Sequence, residues 1–256
     1  MNWLSRFLPG SGPGLSPEQQ ASLDLAGSLP APDLARSHYE TRYVVVNTET
    51  GPAEGAGQRL LAVGAVAINR GLIHPDDAFQ ARLGDTPADA LIGLLRFIAR
   101  APVVVFNAPF NHGILERAFE QHLGNQPTLE WLDLMVLLPS LYPERIGGQA
   151  RMDAWLGAFD IDRLAPRDAL LEAYAVAQLH QVALARARHQ GLDIGCLAGI
   201  GGQILGPAAR LADHLPVRRV GNRTRDGVLR IDLHERAGSN VISHLHGSLF
   251  EPRCSG

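Results

Sequence analysis

Apolar positions along the chain fall into short unbroken runs and helical stripes. Tyr43-Val-Val-Val-Asn47 and Pro102-Val-Val-Val-Phe106 are apolar runs of strand length, the pattern of strands buried on both faces. Leu60 to Ile68, rich in Val, Leu and Ala, predicts another strand. A turn at Asn69-Arg70-Gly71 suits a hairpin, so the first three strands are expected to be antiparallel neighbours, with the third at 78–83. Ala90, Leu91, Leu94, Leu95 and Ile98 carry helical spacing and predict a helix over 87–100. Further helices are expected at about 111–122, 134–141, 151–158 and 166–190, with a short strand near Trp131-Leu132. Three meandering strands followed by alternating helices and strands predict an α/β domain with a mixed sheet flanked by helices. No internal repeat is visible.

The flanks differ. Trp3, Leu4, Phe7 and Leu8 share one helical face before Pro9-Gly-Ser-Gly-Pro-Gly14 breaks the chain. Ser16-Pro17-Glu18-Gln19 is a helix start, with a serine cap, a proline in the first turn and a glutamine that reaches back. That helix is expected to stop near Leu29, before Pro30 and Pro32. After Gly191 the chain becomes apolar and glycine-rich, and Leu229, Ile231 and Leu233 then alternate with polar residues as in a strand. The expected division is a leader and helix at 1–39, an α/β domain at 40–192 and a C-terminal extension at 193–256.

Composition narrows the class. Of the 256 residues, 46% are hydrophobic and 19% charged, which excludes a disordered polyelectrolyte. Two cysteines, Cys196 and Cys254, are too few for a disulfide framework or a cysteine-rich zinc site. No stretch approaches a membrane-spanning length, and the start does not read as a secretory signal, so a cytoplasmic setting is expected. Every basic residue is arginine; residues 1–200 carry a balance of -6 and residues 201–256 one of +3. The main body is not a basic scaffold, and affinity for phosphates must be local.

Candidate chemistry gathers at strand ends. The first apolar strand runs out through Asn47-Thr48-Glu49-Thr50, where residues 47 and 49 point to one side. The second runs into Asn107-Ala-Pro-Phe-Asn111-His112, and Pro166-Arg167-Asp168-Ala169-Leu170-Leu171-Glu172-Ala173 opens the long helix. Polar residues at the carboxyl ends of sheet strands, joined by one from a helix, are the usual place for a site in an open α/β sheet.

These segments, in this order, resemble the DnaQ-like (DEDDh) 3'–5' exonuclease family, which includes the proofreading subunit of bacterial DNA polymerase III. Its first motif, Asp-x-Glu-Thr, looks like Asn47-Thr48-Glu49-Thr50. The glycine of its second strand looks like Gly64, and Asn-Ala-x-Phe-Asp looks like Asn107-Ala-Pro-Phe-Asn111. A later strand-end aspartate resembles Asp133, and His-x-Ala-Leu-x-Asp-Ala looks like Arg167-Asp-Ala-Leu-Leu-Glu172-Ala173. The resemblance spans about residues 40–190 and implies an RNase H-like fold. It also implies metal-dependent cleavage of phosphodiesters at nucleic-acid 3' ends, DNA or RNA.

In that family four carboxylates hold two divalent ions, magnesium or manganese, and a histidine deprotonates the attacking water. By resemblance the catalytic positions here are Asn47, Glu49, Asn111, Arg167 and Glu172, with Thr48, Thr50 and Asn107 as nucleic-acid contacts. Only Glu49 is unchanged. Two aspartates have become asparagine, the third is the longer Glu172, and the basic histidine is Arg167, which does not deprotonate near neutral pH. Glu49 and Glu172 are then the expected metal ligands, binding Mg2+ or Mn2+ weakly or not at all. A unit charge pair at ~4 Å is worth about 4 kcal/mol near a protein surface, so losing two carboxylates weakens divalent binding severely. Losing the base removes a further ~10²–10⁴-fold in rate.

The expectation is an exonuclease relative with activity impaired or lost. The alternative is a pseudo-nuclease acting as a nucleic-acid or protein binding module, with a protein partner engaging the leader or the tail. A Glu172–Arg167 ion pair in place of metal is the expected local picture. Asp168 is expected as a helix-start acid and His112 as a surface histidine. The family's cover over the site is expected to be missing, because Phe79 to Pro87 runs almost directly into the next helix.

Overall fold

The structure, a computed structural model, describes residues 14–54, 57–125, 127–163 and 167–201, all within one compact unit. The leader face at Trp3 to Leu8, Pro166 and the alternating segment at Leu229 to Leu233 lie outside the described residues.

Helix α1 (Pro17–Ser28) starts as its sequence dictates. Ser16 Oγ accepts from the Gln19 amide at 3.1 Å, and Gln19 Oε1 accepts from the Ser16 amide at 2.9 Å, a complete capping box. The sheet follows: β1 (Tyr43–Glu54), β2 (Gly57–Asn69) and β3 (Leu72–Arg82). Then come α2 (Pro87–Ile98), β4 (Val103–Val105), α3 (Ala108–Leu123) and β5 (Trp131–Asp133). Helices α4 (Leu134–Leu141), α5 (Met152–Ala158), α6 (Ala169–Gln190) and α7 (Ile194–Gly201) complete the order.

The strands lie in the order β3-β2-β1-β4-β5. The first three are antiparallel, while β4 runs parallel to β1 and β5 parallel to β4. With helices on both faces, this is an α/β, RNase H-like mixed sheet. The unbroken apolar run at the start of β1 now has its reason. Tyr43 and Val45 pack under α4, α5, α6 and α7, whereas Val44 and Val46 pack under α2 and α3, so both faces of the strand are dry.

Three elements exceed their sequence signal. Strand β1 continues past Asn47, with register irregularities after Glu49 that the apolar pattern does not encode. Strand β3 begins at Leu72, directly after a turn in which Arg70 and Gly71 take φ 53° and 74°. Its first half, His74-Pro-Asp-Asp, is polar because it is an exposed edge, where proline and charge deter further pairing. The apolar stretch after Gly191 forms α7, and Ile194 and Leu197 are fully buried in the same core as β1 and α6. Among the described residues, no helix is long and apolar enough to cross a membrane.

Candidate functional site

The site gathers where β1 ends, and one glycine permits it. Gly64 on β2 lies directly opposite Asn47. A Cβ at Gly64 would stand 2.3 Å from the backbone carbon of Ala169 and the amide of Leu170, closer than any real contact. The first turn of α6 therefore rests on the bare backbone of β2. That close approach brings Glu172, in the first turn, to Asn47, whose Nδ2 donates to Glu172 Oε2 at 3.0 Å.

Glu172 is the best-partnered acid of the site. Its Oε1 takes a charge-assisted bond from the Arg163 guanidinium and accepts from the Arg167 amide at 3.1 Å. Arg163 also binds Asp153 of α5 at 2.9 Å. Burial works against the Arg163 charge, yet the hydrogen bond and charge of Glu172, aided by Asp153, hold its pKa above the ordinary value. The expected Glu172–Arg167 ion pair is thus corrected: the cation is Arg163. Helix α6 begins at Ala169, so Arg167 precedes the cap. At φ 70° it turns its amide to Glu172 and leaves its side chain exposed. The signal for Arg163 was weak, a lone arginine outside any motif, nine residues before its partner.

The neighbouring residue carries the other half. Thr48 points to the opposite face, is buried, and its hydroxyl donates to Asn111 Oδ1 at 2.9 Å. Asn111 Nδ2 donates in turn to the carbonyls of Phe106 at 2.9 Å and Asn107 at 3.2 Å. An aspartate at 111 would set a carboxylate against two carbonyl oxygens, so the amide suits this pocket in the absence of a cation. Asn107 caps α3 in a left-handed conformation, φ 68°. It is held by Asp133, which accepts from the amides of Asn107, Ala108 and Met135 at 2.9, 2.8 and 2.9 Å. Burial pushes the Asp133 carboxyl up, against the pull of those three amides. Its oxygens are spent on joining α3 to α4.

Glu49 and Thr50 are half-buried on β1, and the Glu49 carboxylate has neither a hydrogen bond nor an ion pair among the described residues. Asp168 caps α6, accepting from Leu170 and Leu171. His112 pairs with Glu116 at 3.5 Å and packs edge-on against Trp131. His180 is fully buried beside Tyr43.

A two-metal centre does not fit this arrangement. Among the described residues, no group of three His, Cys, Asp or Glu side chains is placed to hold an ion. Glu172 is already saturated by a guanidinium and two N–H groups. A divalent ion would have to displace Arg163 and find most of its charge compensation at Glu49 alone.

Fold and site together define an α/β domain with a mixed sheet, in which the acid nearest the end of β1 in α6, Glu172, is paired with a guanidinium. No family model matches the sequence. The chain is similar in structure to E. coli exonuclease I with an oligonucleotide, at TM-score 0.48 and 13% identity over 58% of this chain and 41% of that chain. A zinc-bound form of E. coli exonuclease I with single-stranded DNA gives 0.49 and 14%, again with 58% and 41% covered. Exonuclease X with 5'-overhanging duplex DNA gives 0.42 and 17%, over 62% of this chain and 98% of that chain. The chain therefore spans about two-fifths of the exonuclease I structures.

A different likeness is confined to short segments. Over 24 residues, 9% of this chain and 10% of the other, it is 75% identical to an NAD-dependent protein deacylase of Mycobacterium tuberculosis. Over 42 residues, 16% and 15%, it is 57% identical to the deacylase Sir2 of Mycolicibacterium smegmatis. The chain spans about a tenth to a seventh of these proteins.

Proposed function

We propose that this chain is a DnaQ-like exonuclease relative whose pocket receives single-stranded nucleic-acid 3' ends without hydrolysing them. The observation that carries this reading is Glu172 bound by Arg163, the Arg167 amide and Asn47, where the family resemblance implies a metal-ligating carboxylate. A guanidinium supplies one fixed charge and no open coordination position, so it neither activates a water nor clamps both oxygens of a displacement. Arg167, in the histidine's place, offers no base. The short connection from β3 to α2, residues 83–86, supports an open pocket.

A second reading, a residual Mg2+- or Mn2+-dependent exonuclease, draws on the Glu49 carboxylate, which has no partner among the described residues. A manganese titration with a 3'-labelled single-stranded oligonucleotide separates the two. No release of nucleotides is expected above the level of the Glu49→Gln variant. Metal-dependent release by the wild type that Glu49→Gln abolishes would establish the exonuclease reading instead.

A further inference from the structure

The start of β1, away from Asn47, borders a second concavity. The strand takes the chain about 14 Å from Tyr43 to Asn47, and beside its beginning lies a cavity of about 780 Å³. The segment just before β1 supplies Arg36, Tyr39, Glu40 and Arg42, and the β2–β3 hairpin supplies Asn69 and Arg70. The walls are fixed from behind. The His38 ring bridges the Tyr43 hydroxyl at 2.6 Å and the Leu192 carbonyl at 2.8 Å, which pins the segment to the core. Arg42 donates to the Phe97 carbonyl at 2.9 Å and to Asp77 at 3.1 Å, and its guanidinium lies 4.9 Å over the Phe97 ring. Arg70 is held differently. It opens the two-residue turn at φ 53°, ahead of Gly71 at 74°, where asparagine, aspartate or glycine is the usual first residue. A long side chain in the left-handed region is strained, and strain of this kind points to function. Arg70 is exposed, and among the described residues its guanidinium has no hydrogen bond, ion pair or ring contact.

The lining sets three guanidiniums against one carboxylate, that of Glu40, which accepts from the Ser37 hydroxyl at 2.9 Å. Asp77 offsets Arg42, whereas Asp33 stands 3.8 Å from Arg36 in an exposed pair that counts for little. Arg36 and Arg70 therefore leave positive charge uncompensated. A guanidinium fork matches a carboxylate or a phosphate. A phosphate monoester has three terminal oxygens and a charge of about -2, so it engages forks from two chain segments at once, where a carboxylate satisfies one. The volume exceeds that of a bare phosphate and falls in the range of small-molecule sites. Tyr39, 56% exposed, offers its ring to the rest of such a molecule. We infer that this cavity binds the phosphate monoester of a small molecule, with Arg36 and Arg70 on the phosphate and Tyr39 against the body that carries it. The cavity lies outside the strand-end pocket, so the inference goes beyond the proposed function and does not depend on it.

The test is calorimetric titration of the full-length chain with AMP, ribose 5-phosphate, inorganic phosphate and, as the uncharged control, adenosine. Saturable binding of both esters is expected, and none of adenosine over the same range. Arg70→Gly removes the guanidinium and relaxes the turn, so it is expected to weaken binding about 10- to 100-fold while the melting temperature holds or rises. Arg36→Gln is expected to weaken binding in the same direction, and Tyr39→Ala to weaken the esters but not inorganic phosphate. No binding of either ester by the wild type, or equal affinity in Arg70→Gly, overturns the inference. Adenosine bound as tightly as AMP overturns recognition of the phosphate, and inorganic phosphate bound as tightly as the esters overturns recognition of the body. Displacement of AMP by an oligo-dT with hydroxyls at both ends places the ester in the strand-end pocket and overturns the inference as well.

Discussion

At the scale of single residues, the asparagines at 47 and 111 are chemically committed rather than merely uncharged. Each uses its amide N–H as a donor to a group that a carboxylate would repel: Glu172 for Asn47, two carbonyls for Asn111. The two asparagines therefore form one consistent set with Arg163, and an aspartate at either position alone leaves an uncompensated charge.

Another residue-scale consequence lies outside the pocket. Among the described residues, His180 has no hydrogen-bond partner on either ring nitrogen, and burial pulls its pKa down to about 3. It is neutral in the folded chain, while the unfolded chain takes up a proton near pH 6.5. Its contribution is complete above pH 6.5, and stability falls as the pH drops from there toward 3, by up to about 1.4 kcal/mol per unit. His38, whose pKa burial also lowers, adds in the same direction. Denaturant unfolding of His180→Leu between pH 6 and 4 should show a slope smaller by about one proton than that of the wild type. An unchanged slope would mean that His180 is reached by protons in the folded state.

At the scale of elements, the decisive contact is α6 crossing β2 over Gly64. Gly64→Ala places a methyl group into the backbone of Ala169 and Leu170, and neither partner has a flexible end to move. The expected cost is about 3 kcal/mol, the upper part of the range for overpacking, measured by urea unfolding. Loss below about 0.5 kcal/mol, within the range of ordinary surface substitutions, would show that the approach is looser than described.

Elements were legible in the sequence where local signals agree. The capping box of α1, the apolar runs of β1 and β4 and the stripe of α2 each state their own structure. What the sequence hid were tertiary decisions. The polar half of β3 is a strand only because it borders β2, and α7 is a helix because Ile194 and Leu197 find a core beneath α4. Residues drawn from separate motifs do meet, Asn47 with Glu172 and Thr48 with Asn111. The partner of Glu172 was not legible, because Arg163 belongs to no motif and is selected by the fold that carries α5 and α6 together.

At the scale of the whole molecule, the sheet and its helical layers hold the end of β1 against the first turns of α3 and α6. The scaffold is set by apolar residues on β1, β4, α2, α3 and α6, apart from the polar residues at the end of β1, so the polar residues of the pocket can change without loss of the fold. The most direct measurement is equilibrium Mn2+ binding by calorimetry, comparing the wild type with a variant carrying Asn47→Asp, Asn111→Asp, Arg163→Gln and Arg167→His. The account predicts saturable binding by the variant and none by the wild type over the same range. Wild-type binding as tight as the variant's, abolished by Glu49→Gln, would contradict it.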